Sequence, residues 1–164
     1  MKRDLWGEWV ESLPARPGAY WLALCLPRPA VVRAGPKPWR RWPAGLYLYA
    51  GQAYGPGGLR ARLGRHLRGQ GRGPWHIDAL RAVALPVAWG WTTWPADLTR
   101  PWECRWAQMW LAQSGAFVPQ HGFGASDCRH GCPTHGVGFG DLGCPPAPIL
   151  RPQNRILRPG EHRL

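Results

Sequence analysis

Acidic residues are scarce in this chain: 9 Asp+Glu stand against 21 Lys+Arg, a formal charge of +12 over 164 residues. That imbalance points to a polyanionic partner, with nucleic acid ahead of a membrane surface. Long apolar runs are also missing. None approaches the roughly 20 residues a membrane span requires. The opening MKRDLWGEWVESLP is too acidic, and too short in apolar residues, for a secretory signal. Cysteines number 5, an odd count, which argues against a disulfide framework and for a reducing cytoplasm. Asparagine occurs once, as Asn154 near the end of the chain.

Hydrophobic residues make up 45% of the sequence, enough for a real core, and the length suits one domain with a tail. Trp (12), Pro (19) and Gly (22) are all abundant, so compositional bias is a second source for the arginine excess. Arginine also grips phosphate with a planar fork that lysine lacks.

The stretch from Gly45 to Arg68 organises the rest. Leu46, Leu48 and Ala50 alternate with Tyr47, Tyr49 and Gly51, the two-residue period of a strand. Residues 53–58 form a turn rich in breakers. Leu59, Leu63 and Leu67 then make one stripe of a helix whose other faces carry Arg60, Arg62, Arg65, His66 and Arg68. A tyrosine-bearing strand, a glycine turn and an arginine-rich helix make a corner suited to phosphate. A solvated amphipathic helix is the plain alternative.

Elsewhere the pattern predicts a helix over residues 4–13, ended by Pro14, and an apolar central strand over 19–26. A short strand follows over 30–33, then a basic aromatic loop over 35–43 containing Arg40 and Arg41. Trp75-His-Ile-Asp78 leads into a short helix through about Ala82. An edge strand spans 83–93, interrupted by Pro86. The last helix covers about 100–113, capped by Asp97 or Thr99, with Pro101 in its first turn and Gly115 stopping it. Residues 1–144 form the domain, and 145–164 a basic, proline-rich tail with little to bury. His76 and Asp78 sit on a turn where they can buttress a site, bind DNA or cap a helix.

Cys128, His130, Cys132 and His135 lie within one short segment. Thiolate and imidazole suit zinc, which needs four ligands in a structural site. The spacing is tighter than the usual paired arrangement. Reduced cysteines at the edge of an active site are therefore the favoured reading. A zinc centre completed by Cys144 or His121 stays open.

Gly18-Ala19-Tyr20 and Tyr49-Ala50-Gly51 resemble the two halves of the GIY-YIG nuclease signature, each with alanine in place of the central isoleucine. Leu59-Arg-Ala-Arg-Leu63 is similar to the helix that carries that family's arginine, with Arg62 at the matching position. Glu103 resembles its single metal-binding carboxylate. Trp75-His-Ile-Asp78 and Gly122-Phe-Gly-Ala-Ser-Asp-Cys128 resemble a small branch of the superfamily sometimes joined to base-excision repair proteins.

The resemblance implies an α+β fold, a small mainly antiparallel sheet flanked by helices. It implies a metal-dependent DNA endonuclease acting in repair or recombination, with RNA not excluded as a substrate. Tyr20 would be the general base on water, supported by Tyr49 and helped by His66. Arg62 would hold the phosphate, and Glu103 a Mg²⁺ or Mn²⁺ ion. Arg60, Arg65, Arg68, Arg40 and Arg41 would line the nucleic-acid path. No counterpart is evident for the asparagine that several family nucleases place after the glutamate. A non-catalytic nucleic-acid-binding module of the same fold is thus the alternative.

Overall fold

The computed structural model describes residues 6–71, 75–93, 95, 99–140 and 142–145. The predicted basic tail lies outside these residues apart from Pro145, and so do Leu5 and Asp97. Among the described residues no helix is long and apolar enough to cross a membrane.

The chain is α+β: a 5-stranded sheet in the order β5 (Leu85–Thr92), β1 (Gly18–Leu26), β4 (Gly45–Ala53), β7 (Gly136–Phe139), β6 (Ala116–Phe117), every pairing antiparallel, with helices on both faces. Strands β1 and β4 form the longest pairing, with Tyr20 opposite Gly51 and Leu22 opposite Tyr49. β5 lies at one edge, as Pro86 predicts, and β1 shifts register beside it between Ala23 and Leu24. β2 (Ala30–Val32) and β3 (Arg40–Trp42) form a separate two-stranded ribbon. Part of the predicted loop at 35–43 is therefore strand. Trp42 is buried there and stacks on Tyr47, while Arg40 and Arg41 point to solvent.

The period of two divides the core. Tyr20, Leu22 and Leu24 of β1, with Tyr47 and Tyr49 of β4, pack on Leu59, Leu63 and Leu67 of α2 (Gly58–Arg68) and on Val10 of α1 (Gly7–Ser12). Ala19 and Ala50 face the other way, toward Trp106 and Trp110 of α4 (Trp102–Leu111). β6 and β7 complete the sheet; neither was predicted.

Both ends of α2 are tied down, one by backbone and the other by a side chain. Gly57 and Gly58 open it at φ +78° and +53°, and a Cβ on Gly58 would lie 2.2 Å from the Arg16 carbonyl oxygen. Leu59 N–H donates to Arg16 O at 3.0 Å and Arg60 N–H to Pro14 O at 3.1 Å. The amides that a phosphate-binding helix start would offer are thus already engaged. At the other end, Arg81 of α3 (His76–Arg81) donates from Nε to His66 O and from Nη2 to Leu67 O, each at 3.0 Å. This guanidinium satisfies carbonyls that helix geometry leaves open.

α4 is shorter than predicted. Pro101 is its N-cap rather than a first-turn residue, and among the described residues no side chain caps it. Glu103 keeps its predicted place in the first turn. The odd cysteine count predicts no disulfide framework; among the described residues a single disulfide joins Cys25 and Cys144.

Candidate functional site

β4 outruns β7. The pairing stops at Tyr49 opposite Gly136, and Ala50 N–H then donates to His135 O at 2.9 Å. Beyond that point Gly51 and Gln52 have no β7 partner, and a cleft of about 430 Å³ opens beside them. The cleft gathers Tyr49, Arg62, Glu103, His76 and Asp127 from five different segments. The tyrosines lie on the α2 face of the sheet and Glu103 comes from α4 on the opposite face. They meet because the end of β7 leaves the flank of β4 open.

Glu103 is 6% exposed, and its Oε2 has no hydrogen-bond partner among the described residues. Burial raises its pKa above the ordinary carboxylate value, and Asp127 nearby adds to the effect. The helix-start position predicts the opposite direction through the macrodipole. Desolvation is the larger influence here.

Arg62 reaches the cleft with its guanidinium 4.1 Å from the centre of the Trp75 ring. Its Nε is buried without a partner among the described residues. Stacking holds the fork flat without using up its donors.

Tyr20 is fully buried and does not line the cleft wall; Tyr49 does. The Tyr20 hydroxyl lies behind Gly51, 2.6 Å from where a Gly51 Cβ would stand. It meets no partner of full hydrogen-bond geometry among the described residues, although Arg62 is close enough to draw its pKa down. Burial outweighs that pull and the phenol is pushed up to about 12. Burial raises Tyr49 as well. The two rings sit 6.4 Å apart, and His66 is 5.9 Å from Tyr20.

His66 is buried and donates from Nδ1 to Asp78 Oδ1 at 3.1 Å. Burial lowers its pKa despite that carboxylate, which favours the neutral ring. Asp78 does not cap α3; it joins α3 to α2 through His66 and, at 3.9 Å, Arg65. His76 lines the cleft, stacks on Phe123, and accepts the Gly124 N–H at 2.8 Å.

The other predicted phosphate contacts are not gathered at the cleft. Arg60 donates to Leu13 O at 2.8 Å, and Arg68 pairs with Glu11 at 3.6 Å. Arg40 lines a different groove with Lys37 and His121. Arg41 lies exposed on β3.

The cysteine segment departs from its predicted partners. Cys144 is tied to Cys25, and neither His121 nor His130 belongs to the cluster that forms. Cys104 of α4 joins Cys128, Cys132 and His135 instead, with all four ligand atoms within 4.8 Å of one another. Sequence reading missed Cys104, although it adjoins Glu103, which the same reading placed at the site.

No curated protein and no solved structure matches the chain. The model of a domain of unknown function, DUF123, matches residues 19–148, a span that takes in β1, the arginine helix, Glu103 and the cysteine segment, and the chain belongs to that family.

Proposed function

We propose that this protein is a GIY-YIG-type endonuclease that hydrolyses phosphodiester bonds of DNA with a divalent metal, in repair or recombination. The observation that carries the reading is the cleft itself. It brings Tyr49, Arg62 and Glu103 together from β4, α2 and α4 and leaves Glu103 Oε2 buried without a donor. A buried carboxylate oxygen left unpaired is destabilising, and a bound cation relieves it.

Mg²⁺ or Mn²⁺ suits this donor set, because a hard ion takes one carboxylate and fills its shell with waters and substrate oxygens. Glu103 would hold it, with Asp127 a second carboxylate on the cleft wall. The ion would neutralise charge on the phosphate and the leaving oxygen. Arg62 binds the phosphate through two N–H groups while Trp75 keeps its plane fixed. Tyr20, as its phenolate, would accept the proton of the attacking water with Arg62 assisting, which requires the cleft to open to its hydroxyl behind Gly51; Tyr49 would support it from the cleft wall. Neutral His66, held by Asp78, packs against the Tyr20 ring and positions it. With the Tyr20 pKa near 12, little phenolate is present at neutral pH, so the rate should climb as pH rises.

The runner-up is a nucleic-acid-binding module without cleavage. It is favoured by the absence of an asparagine in the matched region, since Asn154 is the only one in the chain. A cytoplasmic setting suits the reduced Cys104, Cys128 and Cys132, while the Cys25–Cys144 disulfide runs against it. The deciding assay offers duplex, branched, nicked and damaged DNA, and RNA, with Mg²⁺ or Mn²⁺. Metal-dependent cutting that disappears in Glu103→Gln supports the nuclease. Binding without cutting leaves the module, and equal cutting by wild type and Glu103→Gln removes the carboxylate from the site.

A further inference from the structure

The segment between β6 and β7 runs through residues 118–135 without a helix or strand of its own. Irregular stretches of that length inside a compact domain need something to hold them. Part of the support is apolar: Phe123 is buried against Trp42 and Tyr49. Part is hydrogen bonding: Thr134 Oγ1 donates to the segment and His135 N–H donates to Phe123 O at 2.8 Å. Around Cys128 and Cys132 neither kind of contact explains why two thiols turn inward onto a third from a separate helix.

Cys104 Sγ lies 3.6 Å from Cys128 Sγ and 3.5 Å from His135 Nε2. Four ligands about 2.3 Å (sulfur) and about 2.0 Å (nitrogen) from one ion at tetrahedral angles stand about 3.8 Å apart for two sulfurs and about 3.5 Å for sulfur and nitrogen. All four ligand atoms lie within 4.8 Å of one another, and these two separations have that spacing. They are far longer than a disulfide bond, at about 2.05 Å. The His130 amide also donates to Cys128 Sγ at 3.4 Å, which supports a thiolate at that sulfur.

We infer that Cys104, Cys128, Cys132 and His135 form a structural Zn²⁺ site that fastens the 118–135 segment to the first turn of α4. The donor set selects the metal, since three soft sulfurs and an imidazole exclude Mg²⁺ and favour zinc. Four protein ligands fill the tetrahedron and leave no open position, so the ion organises the fold and activates no water. Its placement has a consequence for the cleft. Cys104 directly follows Glu103, and the His135 carbonyl holds Ala50 at the end of the β4–β7 pairing. The ion thereby fixes two walls of the cleft, α4 and the segment bearing Asp127, against β4. The site is independent of whether the cleft cleaves anything.

The test measures zinc in the full chain, purified under reducing conditions and dialysed exhaustively without chelator. One zinc per chain is expected, falling at least several-fold in Cys104→Ser and in Cys132→Ser. His130→Ala should keep its zinc, because that ring lies outside the cluster. Should the serine variants fail to fold, Co²⁺ added to the metal-free wild type decides the matter. A thiolate-to-cobalt charge-transfer band with strong tetrahedral ligand-field bands supports the site. A folded wild type that carries no zinc and gives no such spectrum overturns it, and so does zinc retained at full occupancy in both serine variants.

Discussion

His66 and Asp78 form a buried pair, 3.1 Å apart, that locks the arginine helix α2 to α3. The pair also sets the tautomer of His66: with Nδ1 donating to the carboxylate, Nε2 is the acceptor, and it is buried without a partner among the described residues. Beside the Tyr20 ring, that makes His66 an unfilled acceptor at the heart of the proposed site.

Asp78→Ala should therefore destabilise the fold, because it leaves the His66 donor and the Arg65 guanidinium without their carboxylate. The expected loss is about 2 kcal/mol, the desolvation penalty of a buried group that loses its partner. A urea titration checks it. An unchanged midpoint would show that solvent replaces the carboxylate.

Gly51→Ala tests the packing between the two strands. A Cβ there would lie 2.6 Å from the Tyr20 hydroxyl oxygen and 2.7 Å from Cζ of the same ring. The ring is buried and has nowhere to swing, so overpacking of about 1–3 kcal/mol is expected. Activity should fall even where the protein folds, since the proposed base is displaced. Wild-type stability and rate in this variant would mean that the Tyr20 hydroxyl is not held where the structure has it.

Arg62→Ala should abolish cleavage and weaken DNA binding modestly. It removes a cation stacked on Trp75 and leaves the other arginines in their own contacts. The slope of log K against log salt should fall by about 0.9 on duplex DNA, the share of one phosphate contact. Anisotropy titrations at several salt concentrations measure it, and an unaltered slope would place Arg62 off the phosphate path.

Glu103 gives a pH-dependent signature that needs no cleavage assay. Its folded-state pKa is raised above the ordinary glutamate value of 4.5, chiefly by burial. Folding therefore favours the protonated form. The penalty is absent at pH well below 4.5 and grows as pH rises through the folded pKa. In metal-free protein, Glu103→Gln should be at least as stable as wild type at neutral pH, with the difference vanishing in acid. Added Mg²⁺ or Mn²⁺ should stabilise the wild type and not the variant. Denaturant titrations at acid and neutral pH, with and without metal, read both effects. A variant less stable than the metal-free wild type at neutral pH would contradict the assignment.

Tyr20→Phe should slow cleavage with little change in binding, and should flatten the rise of rate with pH. Burial holds the phenol near 12, so the wild-type rate should still be increasing at the alkaline end of the protein's stable range. A variant with the same pH profile as wild type would move the base to another group.

What the sequence determined by itself is local. The apolar run of β1, the alternation of β4 and the Leu59, Leu63 and Leu67 stripe of α2 are properties of near neighbours, and they suffice to mark those two strands and that helix. Glu103 at the start of α4 was equally readable, because Pro101 and the apolar face behind it mark the helix. Tertiary structure alone decided the rest. β7, with two glycines in Gly-Val-Gly-Phe, has no strand signal of its own and becomes a strand by pairing with β4. Arg60 and Arg68 look like phosphate ligands in sequence and are taken by Leu13 O and Glu11 in space. Cys104 stands 24 residues from Cys128, and no spacing rule joins them. They meet because α4 packs across β4 and β7 and brings its first turn over the returning segment, a contact fixed by how the faces of the sheet are covered and not by any run of neighbouring residues.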